Sequence, residues 1–457
     1  MGILENVEYI FFSENSPAYF RLFLIFLTLT FNGIVIFQTL FREKNKLLIL
    51  SGGAISGNLA FLLFLGTFSY FLKDNSGIWI IFILLTTICL VIFIKIRLDI
   101  LEIFTLKFSP KTFVFSLVIF SCLVIFFLFA RSSPMGGDVS THWAIATSFA
   151  RGNYPTVLPS QPKLLTAYHE GAFMVQGAIH SLASINISIV HIFFATYIIS
   201  SLFLFITAIA WERRKTILAL TPAIFGIMLF GGPIFFIGNP TNLVNNFLEF
   251  NPDFFPLLDT FKRSVGSSAA DLAGMFYSVS YPFSLSAFFL FLYVLLKKPL
   301  FRLRKYILLA ILSILTLSIF ESFFLLELPL IAAFFIRDYK SISRKKVLRD
   351  ALIIFSSFVI LFFLIQNLVR DTLLTPQATH FRILSFQDLE FHIRLEYMKA
   401  SMNNYWYLPD IRLIFLITAL LAFLVRSRIA GLLILSSFLS LIISLIIVDP
   451  FFPPTGI

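Results

Sequence analysis

The chain has 457 residues, of which 58% are hydrophobic and 13% charged, with a formal net charge of +11. Soluble domains run at about 45–50% apolar and about 25% charged, so this composition excludes a soluble globular fold and points to a bilayer as solvent. A positive balance in a soluble domain would invite nucleic acid. Here its placement along the chain explains it otherwise, and no nucleic-acid partner is expected.

The N-terminus carries Glu5, Glu8 and Glu14 instead of a basic run, so no cleavable signal peptide is expected. Apolar stretches near the spanning length of about 20 residues then recur. They fall at 18–41, 46–72, 76–96, 112–130, 188–212, 215–239, 280–297, 306–320, 322–336, 351–369, 412–426 and 429–449. The fold class is therefore all-α: a polytopic membrane protein of about 12 transmembrane helices. The stretches 306–320 and 322–336 are divided because the charge on both flanks needs an even number of crossings; one long tilted helix is the alternative. Cys89 and Cys122 both lie in apolar runs and form no CxxC pattern.

Basic residues orient the chain. Short connections carry Arg42, Lys44 and Lys46, then Lys95, Arg97, Lys107 and Lys111, then Arg213, Arg214 and Lys215, and so on through Arg426 and Arg428. They hold 23 of the 35 Lys and Arg residues. The opposite side holds 12 basic residues spread over much more loop, with 16 of the 24 acidic ones. Positively charged short loops stay in the cytoplasm, so both termini are expected outside and the location is the cell (plasma) membrane. Three long segments, 131–187, 240–279 and 370–411, then gather on the non-cytoplasmic side. Loops longer than about 15 residues are commonly functional or disordered. These contain Trp143, Trp406, Tyr405 and Tyr407, which suit an interfacial belt.

The most informative loop runs from Gly136 to Gly177: GGDVSTHWAIATSFARGNYPTVLPSQPKLLTAYHEGAFMVQG. Asp138 is placed to cap a helix over 139–150, with His142 one turn on and on the same face. Gly152 and Pro155 stop that helix, and a second amphipathic segment begins near Tyr168-His169-Glu170. A carboxylate at the membrane surface can take the proton of an acceptor hydroxyl, or hold a divalent metal beside a phosphate. Asp138 and His142 are the candidate metal ligands, for Mg2+ or Mn2+, and His169 and Glu170 can complete either arrangement. The plain structural alternative is that Asp138 only caps a helix.

The pattern Asp138-x3-His142, Ala144, Gly152-x2-Pro155, Pro159 and Tyr168-His169-x-Gly171 resembles the first outer loop of membrane glycosyltransferases of the GT-C superfamily. It is most similar to bacterial GT-C-like proteins of undefined substrate. The resemblance implies inverting transfer of a sugar from a polyprenyl-phosphate donor, with Asp138 as base. It also implies membrane-parallel helices in the outer loops. Residues 1–111 then form an N-terminal group of extra transmembrane helices, and 112–457 a GT-C-like core. This chain departs from the pattern in three ways. Three spans precede the matching helix. The acidic motif is a single Asp instead of Asp-x-Asp or Asp-Glu. Neither a WWDYG-type motif nor a large C-terminal soluble domain occurs.

Other polar residues complete the candidate set. Glu321 and Glu327 lie in the apolar run IFESFFLLELP, where a carboxylate is costly enough to be a functional candidate by default. Glu321 is placed to reach the cavity of Asp138, or else meets water at the interface. Glu327 precedes Pro329 and is read as satisfying backbone groups freed by it. In the third loop Arg382 and Arg394 are the preferred grips for a donor phosphate, although FQDLEFHIRLEYMKASM also reads as a plain surface helix. Lys262 and Arg263 are a weaker pair. His180 and His191 read as packing residues, and Asn186-Ile-Ser188 as a chance sequon. Membrane lipids are the expected partners. The rival readings are a secondary transporter, a non-catalytic subunit of a membrane complex, and an O-antigen ligase or polymerase.

Overall fold

The computed structural model describes residues 12–68, 75–96, 137–153, 157–158, 161–165, 171–214, 279–297, 302–319, 327, 330–331, 344–364, 382–383 and 447–448. The described residues are helical apart from two small strand pairs. The chain divides into two compact units.

The first unit takes in residues 1–166, 170–255 and 269–300. It contains α1 (Ser16–Phe41), α2 (Lys46–Phe68), α3 (Asn75–Ile96), α4 (Gly137–Ala150), the strands β1 (Val157–Leu158) and β2 (Gln161–Leu165), α5 (Gly171–Ala183), α6 (Ile187–Arg214) and α7 (Ser280–Leu296). Four of its helices are long and apolar enough to cross a membrane: Ser16–Phe41, Lys46–Phe68, Ser76–Lys95 and Ile187–Ile209. They coincide with the expected spans at 18–41, 46–72, 76–96 and 188–212, with 69–72 outside the described residues. α7, at 17 residues, is about 25 Å long and matches the stretch at 280–297.

Local chemistry sets the ends. Asn15 Oδ1 accepts from Ala18 N at 2.9 Å and starts α1. Arg42, at φ 49°, ends it with its N–H on Gln38 O. Asn45 Oδ1 then accepts from Leu47 N and Leu48 N and opens α2. The resulting α1–α2 hairpin is packed backbone to backbone. A Cβ on Gly33 would lie 1.7 Å from Gly53 O, and one on Gly57 would lie 1.9 Å from Leu29 O. Small residues that let helix backbones meet are the usual glue of membrane helices, where lipid offers no hydrophobic drive for association. α2 is the central post, 72% of its apolar window being buried against 28% for α3. α3 turns Trp79, Ile80, Ile83, Val91 and Ile94 outward, as a lipid-facing helix does.

The α1–α2 turn is fastened to the end of α7. The Lys297 ammonium and the Tyr293 hydroxyl both meet the Glu43 carboxylate. Lys297 Nζ also lies 3.0 Å from Tyr293 Oη. Phe37, Phe41 and Phe205 pack around the Tyr293 ring.

The second unit takes in 167–169, 256–268 and 301–457. It holds α8 (Arg302–Ile319), α9 (Arg344–Leu364), β3 (Arg382–Ile383) and β4 (Ile447–Val448). α8 and α9 pack together, with Tyr306 Oη donating to Asp350 Oδ2 at 2.7 Å. Both start several residues before the apolar stretches at 306–320 and 351–369. Arg and Lys are good helix formers, and charge ends a span without ending a helix. β3 and β4 pair antiparallel, Arg382 opposite Val448 and Ile383 opposite Ile447. Extended backbone thus stands at 447–448, near the end of the stretch read as a span to 449. Of 322–336, Glu327, Leu330 and Ile331 are described, all helical. The expected spans at 112–130, 215–239 and 412–426, and the remainder of 429–449, lie outside the described residues.

Candidate functional site

The first long loop is built from α4, the β1–β2 hairpin and α5, all within the first unit. α4 begins at Gly137, so Asp138 stands in its first turn instead of capping from outside. A negative residue there is favoured by the positive end of the helix dipole. Position 142 is one turn on and on the same face. Of Asp138 only the backbone is described.

α5 departs from expectation. The sequence predicts an amphipathic segment from near Tyr168-His169-Glu170, three residues that lie outside the described ones. The helix starts at Gly171 and is buried on every face from Gly171 to Ile179. The reason is its position: α5 packs against α4, α1, α2 and α6 at once. Gly177 allows the closest of these approaches, since a Cβ there would lie 2.2 Å from Ala146 O of α4.

This packing assembles an aromatic and polar cluster. His142, 4% exposed, stacks on Phe173 with ring centroids 4.5 Å apart. Trp143 sets its ring edge-on to His191 at 6.2 Å. Gln176, fully buried, lies with Nε2 3.0 Å from His191 Nδ1. An amide nitrogen only donates, so with this amide orientation His191 Nδ1 accepts and the neutral ring carries its proton on Nε2. Two buried polar atoms of the cluster, Gln176 Oε1 and Trp143 Nε1, have no hydrogen-bond partner. Buried polar groups are normally bonded.

The other predicted residues are placed as follows. His169 and Glu170 lie outside the described residues, directly before the first residue of α5. Glu321 and Arg394 also lie outside them, and Arg382 is described through its backbone in β3. His142 is thus the one predicted site residue whose side-chain surroundings are described. Among the described residues no group of three His, Cys, Asp or Glu is placed to hold a metal ion. His180 and His191 are both hydrogen-bonded within the fold, His180 Nδ1 to Ile185 O at 2.5 Å. Asn186 caps α6, its Oδ1 accepting from Ser188 N and Ser188 Oγ; that role explains the sequon pattern. Glu327 does not turn to the proline-freed backbone: its described hydrogen bond is to Thr316 Oγ1.

Sequence reasoning missed Gln176 and its link to His191. The available signal was one amide in the otherwise apolar run GAFMVQGAI. No protein family, curated protein or solved structure matches the chain.

Proposed function

We propose that the chain is a membrane glycosyltransferase that moves a sugar from a polyprenyl-phosphate donor to an acceptor hydroxyl on the non-cytoplasmic side. In this proposal about twelve spans follow the GT-C plan, and the protein sits in the cell membrane with both termini outside. The acceptor oxygen attacks the anomeric carbon from the face opposite the phosphate. The carbon–phosphate oxygen bond breaks with its electron pair on the leaving phosphate, and the acceptor proton passes to Asp138. The sequence reading supplies the other candidates: His169 and Glu170 to shape the site, His142 and Glu321 for the substrate, and Arg382 or Arg394 for the phosphate.

The observation that carries the proposal is the placement of position 138. It stands in the first turn of α4, and α4 is seated on the buried α5 by the Gly177–Ala146 approach. A base must be held at a fixed place, and a helix docked on a buried helix provides that. The test is transfer from radiolabelled polyprenyl-phosphate sugars by membranes containing wild-type or Asp138→Asn protein at equal amounts. Loss of a general base is expected to lower transfer by about 10²–10⁴-fold. Undiminished transfer by the variant would remove Asp138 from the mechanism.

One set of observations favours a secondary transporter instead. Asn32 and Asn58 are fully buried in the middle of α1 and α2, and the Oδ1 atom of each is without a hydrogen-bond partner. Polar groups at mid-membrane are where transporters bind substrate. Solute uptake by proteoliposomes, with no sugar transfer from any donor, would decide for that reading.

A further inference from the structure

Glu327 sits in the apolar run FFLLELP and is 0% exposed. Its Oε1 lies 2.8 Å from Thr316 Oγ1 of α8, and its Oε2 has no hydrogen-bond partner. Thr316 Oγ1 also lies 2.8 Å from Leu312 O, one turn back along α8. A hydroxyl has one proton. With that proton on the Leu312 carbonyl, the proton between Thr316 and Glu327 comes from the carboxyl. If instead Thr316 turns its proton to Glu327, an ionised carboxylate is served by one neutral donor while its second oxygen is bare. Ser313 brings another buried hydroxyl alongside the carboxyl, a neutral group and not a cation.

Among the described residues no cation offsets the charge. The titratable groups of α8 are Arg302, Arg304, Lys305 and Tyr306, all at its start. From Tyr306 to Thr316 is ten residues, about 15 Å of helix. The charged end of α9, with Arg349 and Asp350, lies level with Tyr306 through the Tyr306–Asp350 bond. No ion pair to Glu327 occurs among the described residues. An unpaired buried carboxylate costs many kcal/mol, and such a group takes up a proton instead.

We infer that Glu327 is a proton-binding carboxylic acid enclosed in the apolar interior of the second unit, and therefore a site of modification by hydrophobic carbodiimides. The protonated carboxyl gives its proton to one carbodiimide nitrogen. Its oxygen then bonds to the central carbon, forming an O-acylisourea. Rearrangement to the N-acylurea leaves the whole reagent attached, with no leaving group.

The experiment treats membranes containing the full chain with dicyclohexylcarbodiimide and maps the adduct by peptide mass spectrometry. One whole-reagent adduct is expected at Glu327, with none from a water-soluble carbodiimide at that position. Thr316→Val removes the hydroxyl partner but leaves the acid, so labelling is expected to persist unchanged. A protonated-acid carbonyl band in the infrared spectrum of the wild type is expected to vanish in Glu327→Gln. Absence of the adduct at Glu327 would overturn the inference. So would equal labelling by the water-soluble reagent, which needs an open carboxyl. A rise in labelling in Thr316→Val would also do so, because it would mean that Thr316 had been holding an ionised carboxylate.

Discussion

Replacing Gly57 or Gly33 by alanine is expected to loosen the first unit more than any other single methyl group in the α1–α2 hairpin. A Cβ at Gly57 would lie 1.9 Å from Leu29 O, and one at Gly33 would lie 1.7 Å from Gly53 O and 2.4 Å from Gly57 N. Both neighbours are helix backbone, so relief requires the helices to part by about 1.5 Å, which forfeits much of the dispersion contact along the crossing. Overpacking of this kind costs about 3 kcal/mol, while alanine regains about 1 kcal/mol of helix propensity over glycine. The net loss of about 2 kcal/mol corresponds to about a 30-fold rise in the opening equilibrium.

Cys89 is the reporter. It is 1% exposed on α3, with Sγ 3.7 Å from Asn32 O of α1, so alkylation requires α3 to leave α1. In a Cys122→Ser background the alkylation rate in detergent tracks that opening. Gly52→Ala is the internal control. There a Cβ would meet the Phe37 ring at 2.5 Å instead of backbone, and a ring can turn, so its effect is expected to be smaller. Labelling of Gly33→Ala and Gly57→Ala at the wild-type rate, or at a rate below that of Gly52→Ala, would refute the account of backbone contact.

Two further outcomes follow from buried charge. Lys297→Met leaves the Glu43 carboxylate, 6% exposed, without its cation. It is expected to cost about 3 kcal/mol, the low end for a broken buried pair because the Lys297 side chain is itself 23% exposed. Glu43→Gln combined with Lys297→Met is expected to recover most of that loss, read by Cys89 alkylation as a double-mutant cycle. In the second unit, Tyr306→Phe removes the 2.7 Å bond to buried Asp350 and is expected to cost about 1–3 kcal/mol. A melting curve in detergent that does not move to lower temperature would contradict it.

The spanning helices of the first unit were legible because a bilayer imposes a length and an apolar content that local sequence must meet. The stretches 18–41, 76–96 and 188–212 end within two residues of α1, α3 and α6. The contacts between them were not legible. Glu43 and Lys297 look like ordinary members of basic turns until α1 and α7 bring them together. Gly33, Gly53 and Gly57 are small residues in apolar runs, and spacing alone does not say which helix each touches. α5 was misjudged for a related reason. Periodicity reveals a helix by the contrast between a wet and a dry face. A helix enclosed by its neighbours has no wet face to mark its phase. Among the candidates, turn signals singled out Asp138 and spacing singled out His142. Gln176 gains its meaning only from His191, a residue of the next helix.

The burial of α5 bears directly on what the first loop can do. Effective proton abstraction tolerates little error, since about 1 Å of misplacement can cost about 10²-fold in rate. A connection that merely lies on a membrane does not hold a side chain that well. α5 is fixed to α1 through Arg21 Nε, which donates to Ala183 O at 2.9 Å. The start of α6 is fixed to the residues just before α1 by the Asn186 N–H, which donates to Glu14 Oε1 at 3.1 Å. α4 is fixed to α5 by the Gly177–Ala146 approach and by the His142–Phe173 stack. Position 138 is therefore referred, step by step, to helices long and apolar enough to cross a bilayer. A loop whose only task was to join two spans would need none of these contacts, and their presence is the physical reason to seek the chemistry at α4.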